Sequence, residues 1–279
     1  MEIKRIEGRK VAGLAALLQP VDELWYSGEW DEGIFTHTAA VVGSRRMTQY
    51  GQRVVEEKLV PQLVSGGVTV ISGMMYGVDQ AAHRACMECG GRTVAVLGFG
   101  LKWPGISTND LRFMDEIVKK GGLVVSEWEN QPGTLWTFPM RDRIMAALAQ
   151  EIYVVEAAAK SGSLITAEWG VKLGRKVWAV PGPVTSKVSE GTNRLIADGK
   201  AQMWLPQQQI SLSLKDRDTN NAEIYAMLQN ETLGIDDLAR KLKRPVEELG
   251  AKLSLLVLSG EIIEKEGKYF LGSGNWVKR

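Results

Sequence analysis

Two cysteines and two histidines among 279 residues leave little material for metal or thiol chemistry. Two thiols cannot build a disulfide framework, which fits a reducing cytoplasm. No apolar run approaches the roughly 20 residues of a bilayer span, and no N-terminal signal pattern is present, so neither membrane insertion nor secretion is expected. Charge of one sign is also lacking: 34 basic against 33 acidic side chains leave a net +1. A polyanion would have to meet a local patch rather than a uniformly basic surface. No Walker sequence occurs, and Gly98-Phe99-Gly100 is followed by Trp103 where the third glycine of a dinucleotide fingerprint belongs. P-loop hydrolysis and ordinary dinucleotide binding are therefore excluded, and no cofactor is expected. His83, Cys86 and Cys89 spell His-x-x-Cys-x-x-Cys, but three ligands strung along one helix fall short of a zinc set. A structural histidine and two packed thiols are the expectation there. With so little nucleophile–base pairing, the chain is not expected to be an enzyme.

What the chain does have is alternation. Short runs rich in Val and Ile recur at Thr38–Val42, Val68–Ile71, Thr93–Leu97, Leu123–Val125, Ile152–Val155 and Val177–Val180, each bounded by Gly, Ser or Pro. Helical stretches separate them: Tyr50–Val64, Asp79–Glu88, Asn109–Lys119, Arg141–Ala149 and Leu164–Leu173. This order predicts an α/β, extended Rossmann-like domain over residues 38–205, with a doubly wound, mostly parallel sheet. Residues 1–37, with the apolar stretch Val11–Leu18 read as helical and Trp25, Tyr26 and Trp30, are expected to pack on that sheet. Gly66-Gly67, Gly90-Gly91 and Gly121-Gly122 fall where helices should end. Residues 36–205 hold 19 basic and 15 acidic side chains, so any polyanion is expected to meet this segment.

After residue 205 the pattern changes. Residues 206–221, with Gln207-Gln208-Gln209, read as a polar linker. Residues 222–272 then offer helical runs Ala222–Leu228, Ile235–Leu242 and Val246–Ser259, followed by alternation about a turn at Gly267. Three helices and a ribbon predict a small winged-helix domain. Its last helix carries Glu247 and Glu248 against Lys252, a poor reader of DNA, so packing or protein contact is expected of it.

An open parallel sheet binds ligands beyond the carboxyl ends of its strands. The first such loop, Gly43-Ser44-Arg45-Arg46, fits an anion site and a tight turn with two solvated arginines equally well. In the second, Gly73 and Gly77 fit either a phosphate approach or a steric need, and Asp79 is placed to cap a helix. The third runs Phe138-Pro139-Met140-Arg141-Asp142-Arg143. There Arg141 and Arg143 are expected on phosphates, and Phe138 in the core. In the fourth, Lys160-Ser161-Gly162-Ser163 suits an anion nest, with Lys160 contacting phosphate.

In order and spacing, these loops resemble the DNA-processing protein A family, also called DprA or Smf. The resemblance covers roughly residues 20–205 and rests on Val41–Thr48, Ser65–Asp79, Phe138–Ile144, Ser161–Ala167 and Gly174–Gly182, among other runs. It implies a homodimer that binds single-stranded DNA without sequence preference, protects incoming strands in natural transformation and helps load a RecA-type recombinase. The family's pocket maps onto Gly43, Ser44 and Arg45 and onto Lys160, Ser161, Gly162 and Ser163. Arg141 and Arg143 match the family's Arg-Asn-Arg, but Asp142 replaces the asparagine, and Met75 stands where a small residue is usual. The segment before Thr38 is short for the N-terminal helical domain of many relatives, which suggests a shortened relative. A competing resemblance, to nucleotide phosphoribohydrolases, would make Glu168 a catalytic carboxylate, although Leu164 and Ile165 replace that family's phosphate-cradling glycine and threonine.

Overall fold

The computed structural model describes residues 2–11, 13–206, 224, 227–228, 231–242, 244–258, 262–265 and 267–271. The chain divides after Pro206 into two units. In the first, strands β1 (Lys4–Glu7), β2 (Glu23–Ser27), β3 (Thr38–Val42), β4 (Thr69–Ser72), β5 (Thr93–Val96), β6 (Leu123–Ser126), β7 (Glu151–Val154), β8 (Lys176–Ala179) and β9 (Gln202–Met203) form one sheet. Its order is β1-β2-β6-β5-β4-β3-β7-β8-β9. From β6 to β9 every pairing is parallel, while β2 joins β6, and β1 joins β2, antiparallel.

Helices cover both faces. Along β3, Ala39 and Val41 turn to the side of α1 (Gln49–Arg53), α2 (Val60–Ser65) and α3 (Val78–Glu88), with Leu59, Val78 and Cys86 packed there. Ala40 and Val42 face the opposite way, toward α5 (Thr137–Leu148) and α6 (Ser163–Lys172). Alternate residues of a strand point to opposite faces, so a strand buried on both sides must be apolar throughout. Helix α4 (Thr108–Lys119) covers β5 and β6 on the first face, and α7 (Glu190–Ala197) lies on the second. A π turn, Val54–Leu59, joins α1 to α2, with Val60 N–H donating to the carbonyl of Val55. Pro61 follows immediately, and the wider turn spaces the backbone where proline can neither donate nor sit under a normal helical carbonyl.

The N-terminal segment corrects one expectation. Trp25 and Tyr26 are in the sheet itself, paired with Ser126 and Val125. The described residues of 11–18 are in no α-helix: Gly13 takes φ 91, a Cβ there would stand 2.3 Å from the carbonyl of Ala147, and short 3₁₀ turns lie on either side. Val11, Leu14 and Leu17 still reach the core beside Ile144 and Leu148.

The second unit contains α8 (Ile235–Leu242) and α9 (Val246–Leu258). Strands β10 (Leu233–Gly234), β11 (Ile262–Lys265) and β12 (Lys268–Leu271) form a small antiparallel sheet in the order β10-β12-β11. Its core gathers Ile224, Leu238, Leu249, Leu253 and Ile262. The hairpin turns at Gly267, φ 75, as the sequence suggests. The linker at 207–221, and all of the first C-terminal helical run but Ile224, Met227 and Leu228, lie outside the described residues.

Candidate nucleic-acid interface

Strand order singles out one place. From β3 the chain winds through β4 toward β6, whereas from β7 it winds through β8 in the other direction. The gap between the carboxyl ends of β3 and β7 is therefore the topological switch point, where open sheets leave a crevice. The loop after β3 carries Gly43, Ser44, Arg45 and Arg46; the loop after β7 carries Lys160, Ser161, Gly162 and Ser163. Both arginines, Lys160 and Gly162 are exposed, and Gly43, Ser44, Ser161 and Ser163 are half-buried.

Glu156 ties the two walls together. Its buried carboxylate receives the Thr48 hydroxyl at 2.5 Å and the Thr48 N–H at 2.9 Å. Thr48 in turn caps α1 by accepting from the N–H of Gly51. A side chain at Gly51 would meet the Glu156 carboxyl carbon at 2.7 Å, so only glycine leaves room for this tie. Ser44 Oγ accepts from the Arg46 N–H, and the Ser44 carbonyl accepts from Val78. Gly77, φ 80, brings the β4–α3 turn against that carbonyl. The Ser161 and Ser163 hydroxyls share a 2.8 Å hydrogen bond at the start of α6. No carboxylate lies within ion-pair distance of Arg46 or Lys160 among the described residues, and helix N-termini favour anions.

Arg45 lies with its guanidinium carbon 5.5 Å from the centre of the Phe138 ring. Phe138 is half-buried rather than part of the core, and its ring rests against Gly98, where any Cβ would stand 2.4 Å away.

Three expected contacts are overturned. Arg141 and Arg143 are 4% and 1% exposed, so neither can reach a phosphate outside the fold. Helix α5 begins at Thr137, with Pro139 tolerated in its first turn, which draws both arginines inside. Arg141 donates to the carbonyls of Gly73 and Val96 and to Asp142 Oδ1. Arg143 donates to Glu127. Gly73 is buried and admits this guanidinium, not a ligand: a Cβ there would sit 2.1 Å from Arg141 Nη1. Asp79 does not cap α3 from the N-cap position, which is Gly77; inside the first turn it accepts from the Met75 N–H.

Under the loops, then, lies a buried charged layer. Burial pushes Asp79 up to about 6, opposed chiefly by Arg141. It raises Asp142 to about 6 as well, opposed by Arg141 and, less strongly, by Arg45. His83 is held down near 3 by burial and by Arg141; its Nδ1 and the Thr93 hydroxyl are 2.6 Å apart, a structural role. Cys86 is buried and Cys89 exposed. Glu168 is exposed on α6. Sequence reasoning missed Glu156, because a lone acid at a strand end carries no motif, and it named Asp142 without showing that α5 buries it.

The family model described as DNA recombination-mediator protein A matches residues 11–215. Protein Smf of Escherichia coli is 34% identical over 250 residues, 82% of this chain and 66% of that protein. DNA processing protein DprA of Streptococcus pneumoniae is 37% identical over 177 residues, 63% of this chain and 61% of the relative. The chain thus spans slightly under two thirds of the length of these curated relatives. Among solved structures, that of DprA from Streptococcus pneumoniae superposes with a TM-score of 0.63 at 34% identity, covering 72% of this chain and 69% of the other. DNA processing protein A from Helicobacter pylori, solved for its single-stranded DNA binding mode, gives 0.67 at 26% identity, covering 77% of this chain and 97% of that one. Helix-covered sheet, switch-point loops and the match over most of the chain agree: it belongs to the DNA recombination-mediator protein A family.

Proposed function

We propose that this chain binds single-stranded DNA without sequence preference in the crevice between the β3 and β7 loops, as a non-enzymatic recombination mediator. The observation that carries this reading is the placement of exposed Arg45, Arg46 and Lys160 beside two helix N-termini at the switch point. Such a set neutralises phosphates and contacts no base edge, which is what sequence-independent binding requires. Gly43, Ser44, Ser161, Gly162 and Ser163 supply backbone and hydroxyl donors around it. In the cell, the same reading has the protein protect incoming strands during transformation and hand them to a RecA-type recombinase, acting as a homodimer in the cytoplasm. Among the described residues no helix is long and apolar enough to cross a membrane. The two helices and three short strands among the described residues of the second unit support a winged helix with a packing or protein-contact role.

The test is a titration with oligodeoxythymidylate at two salt concentrations. Arg45→Glu is expected to weaken binding by about 10- to 100-fold and to reduce the salt slope by about 0.7, one single-strand phosphate contact. Unchanged affinity in that variant would remove the site.

A further inference from the structure

Beyond the switch point, on the side of β4, β5 and β6, the strand-end loops change character. Leu135 is 95% exposed, Tyr76 65% and Trp136 53%, so three large apolar side chains stand open to solvent in these loops. Trp136 meets Trp128 edge-on with ring centres 5.8 Å apart, and Phe99 and Trp103 form a second pair at 5.7 Å. Charge is absent in a specific way. In the loops after β5 and β6, Lys102 is paired with Glu129 and the remaining carboxylate, Glu127, with Arg143. Asp79 and Asp142, packed behind, are buried. No cation is left there for a phosphate and no unpaired carboxylate to repel one.

Continuity with the switch point comes through α5. Phe138 lies under Arg45, and Trp136 is two residues earlier, so their Cα atoms are within about 7.6 Å of each other. Tyr76 belongs to the next strand-end loop from Arg45, and the end of β6 lies three strand spacings, about 14 Å, from the end of β3.

From this juxtaposition we propose that Trp136 and Tyr76 form a base-stacking subsite that extends the single-strand track from the cationic crevice toward β6. The inference rests on the function proposed above and adds to it where the bases go. A strand whose phosphates are held by Arg45 and Lys160 lays its next bases on rings that offer a face and no charge. Base–aromatic stacking is indifferent to sequence, because each base has a π face.

Affinity should be measured for a thymidine oligomer and for an oligomer of the same length with abasic residues throughout, at two salt concentrations. Trp136→Ala is expected to weaken thymidine-oligomer binding about tenfold, with the salt slope unchanged and abasic binding unaffected. Tyr76→Ala should act in the same sense, and Trp136→Phe should restore most of the loss. A thermal melt of each variant separates loss of stacking from loss of fold. Equal weakening on both oligomers, or none on either, overturns the subsite while leaving the switch-point site intact. Loss of self-association by Trp136→Ala with oligomer binding unchanged also overturns it, in favour of a protein contact. Failure of the wild-type chain to bind either oligomer overturns this proposal and the functional reading together.

Discussion

Replacing Arg141 with alanine is expected to cost the first unit about 3–5 kcal/mol, seen as a fall of about 10 °C in its melting midpoint. Its guanidinium is the shared partner of two backbone carbonyls, those of Gly73 and Val96, and of the Asp142 carboxylate. All of these groups are away from water, and a buried polar group left without its partner carries its full desolvation cost. The double variant Arg141→Ala/Asp142→Asn should regain part of the loss, because the stranded carboxylate is gone. Lysine at 141 should not rescue, since a point charge cannot serve three acceptors set around a planar fork. Chemical denaturation that found the alanine variant within 1 kcal/mol of wild type would show that the buried layer contributes little.

Asp142→Asn should do the opposite: stabilise the protein at pH 7.5, by about half as much at pH 5, and leave it nearly unchanged at pH 3.5, below the unfolded carboxyl value. The carboxyl of Asp142 titrates near 6 in the fold because burial outweighs the pull of Arg141 and Arg45. An acid whose folded value lies above its unfolded value binds a proton in the native state first, so its contribution to stability falls as pH rises from about 4 to 6. Above 6 the native protein holds a buried charge that asparagine avoids while still accepting from Arg141. A rise of about two units corresponds to about 3 kcal/mol, the upper bound for the gain at pH 7.5. His83 titrates at lower pH, and Asp79, which the Asp142 charge helps to raise, titrates in the same range, so the readout is the difference between variant and wild type at each pH. Arg45, relieved of a carboxylate behind it, should also hold single-stranded DNA several-fold more tightly at pH 7.5, the advantage vanishing at pH 5. A stability gain independent of pH would contradict the buried-charge account.

The parallel strands were legible because burial on both faces demands unbroken Val, Ile and Ala, and each of β3 to β8 lies within a residue or so of its expected place. Strands β1 and β2 were not, since Lys4-Arg5-Ile6-Glu7 reads as surface and shows its role only once paired with β2. The loops after β3 and β7 could be named from glycine, hydroxyl and cation in sequence, yet that they face one crevice is a property of strand order. Arg141 and Arg143 misled for a physical reason. Two cations after an aromatic look like a phosphate clamp, and what decides their fate is where α5 starts. With the helix opening at Thr137, each guanidinium is turned toward a partner far away in sequence: the carbonyls of Gly73 and Val96 in one case, Glu127 in the other. Asp142, the departure from the family's asparagine, was visible as a residue, but its burial and its influence on Arg45 were not.

The Glu156–Thr48 bond has a thermodynamic corollary. Because the two walls of the crevice are joined through a carboxylate that is 2% exposed, they are held in register before any strand arrives. Immobilisation on complex formation then falls almost wholly on the polynucleotide. A locked or pre-stacked backbone should accordingly associate more favourably in entropy than a floppy one of identical length, with the enthalpy little changed.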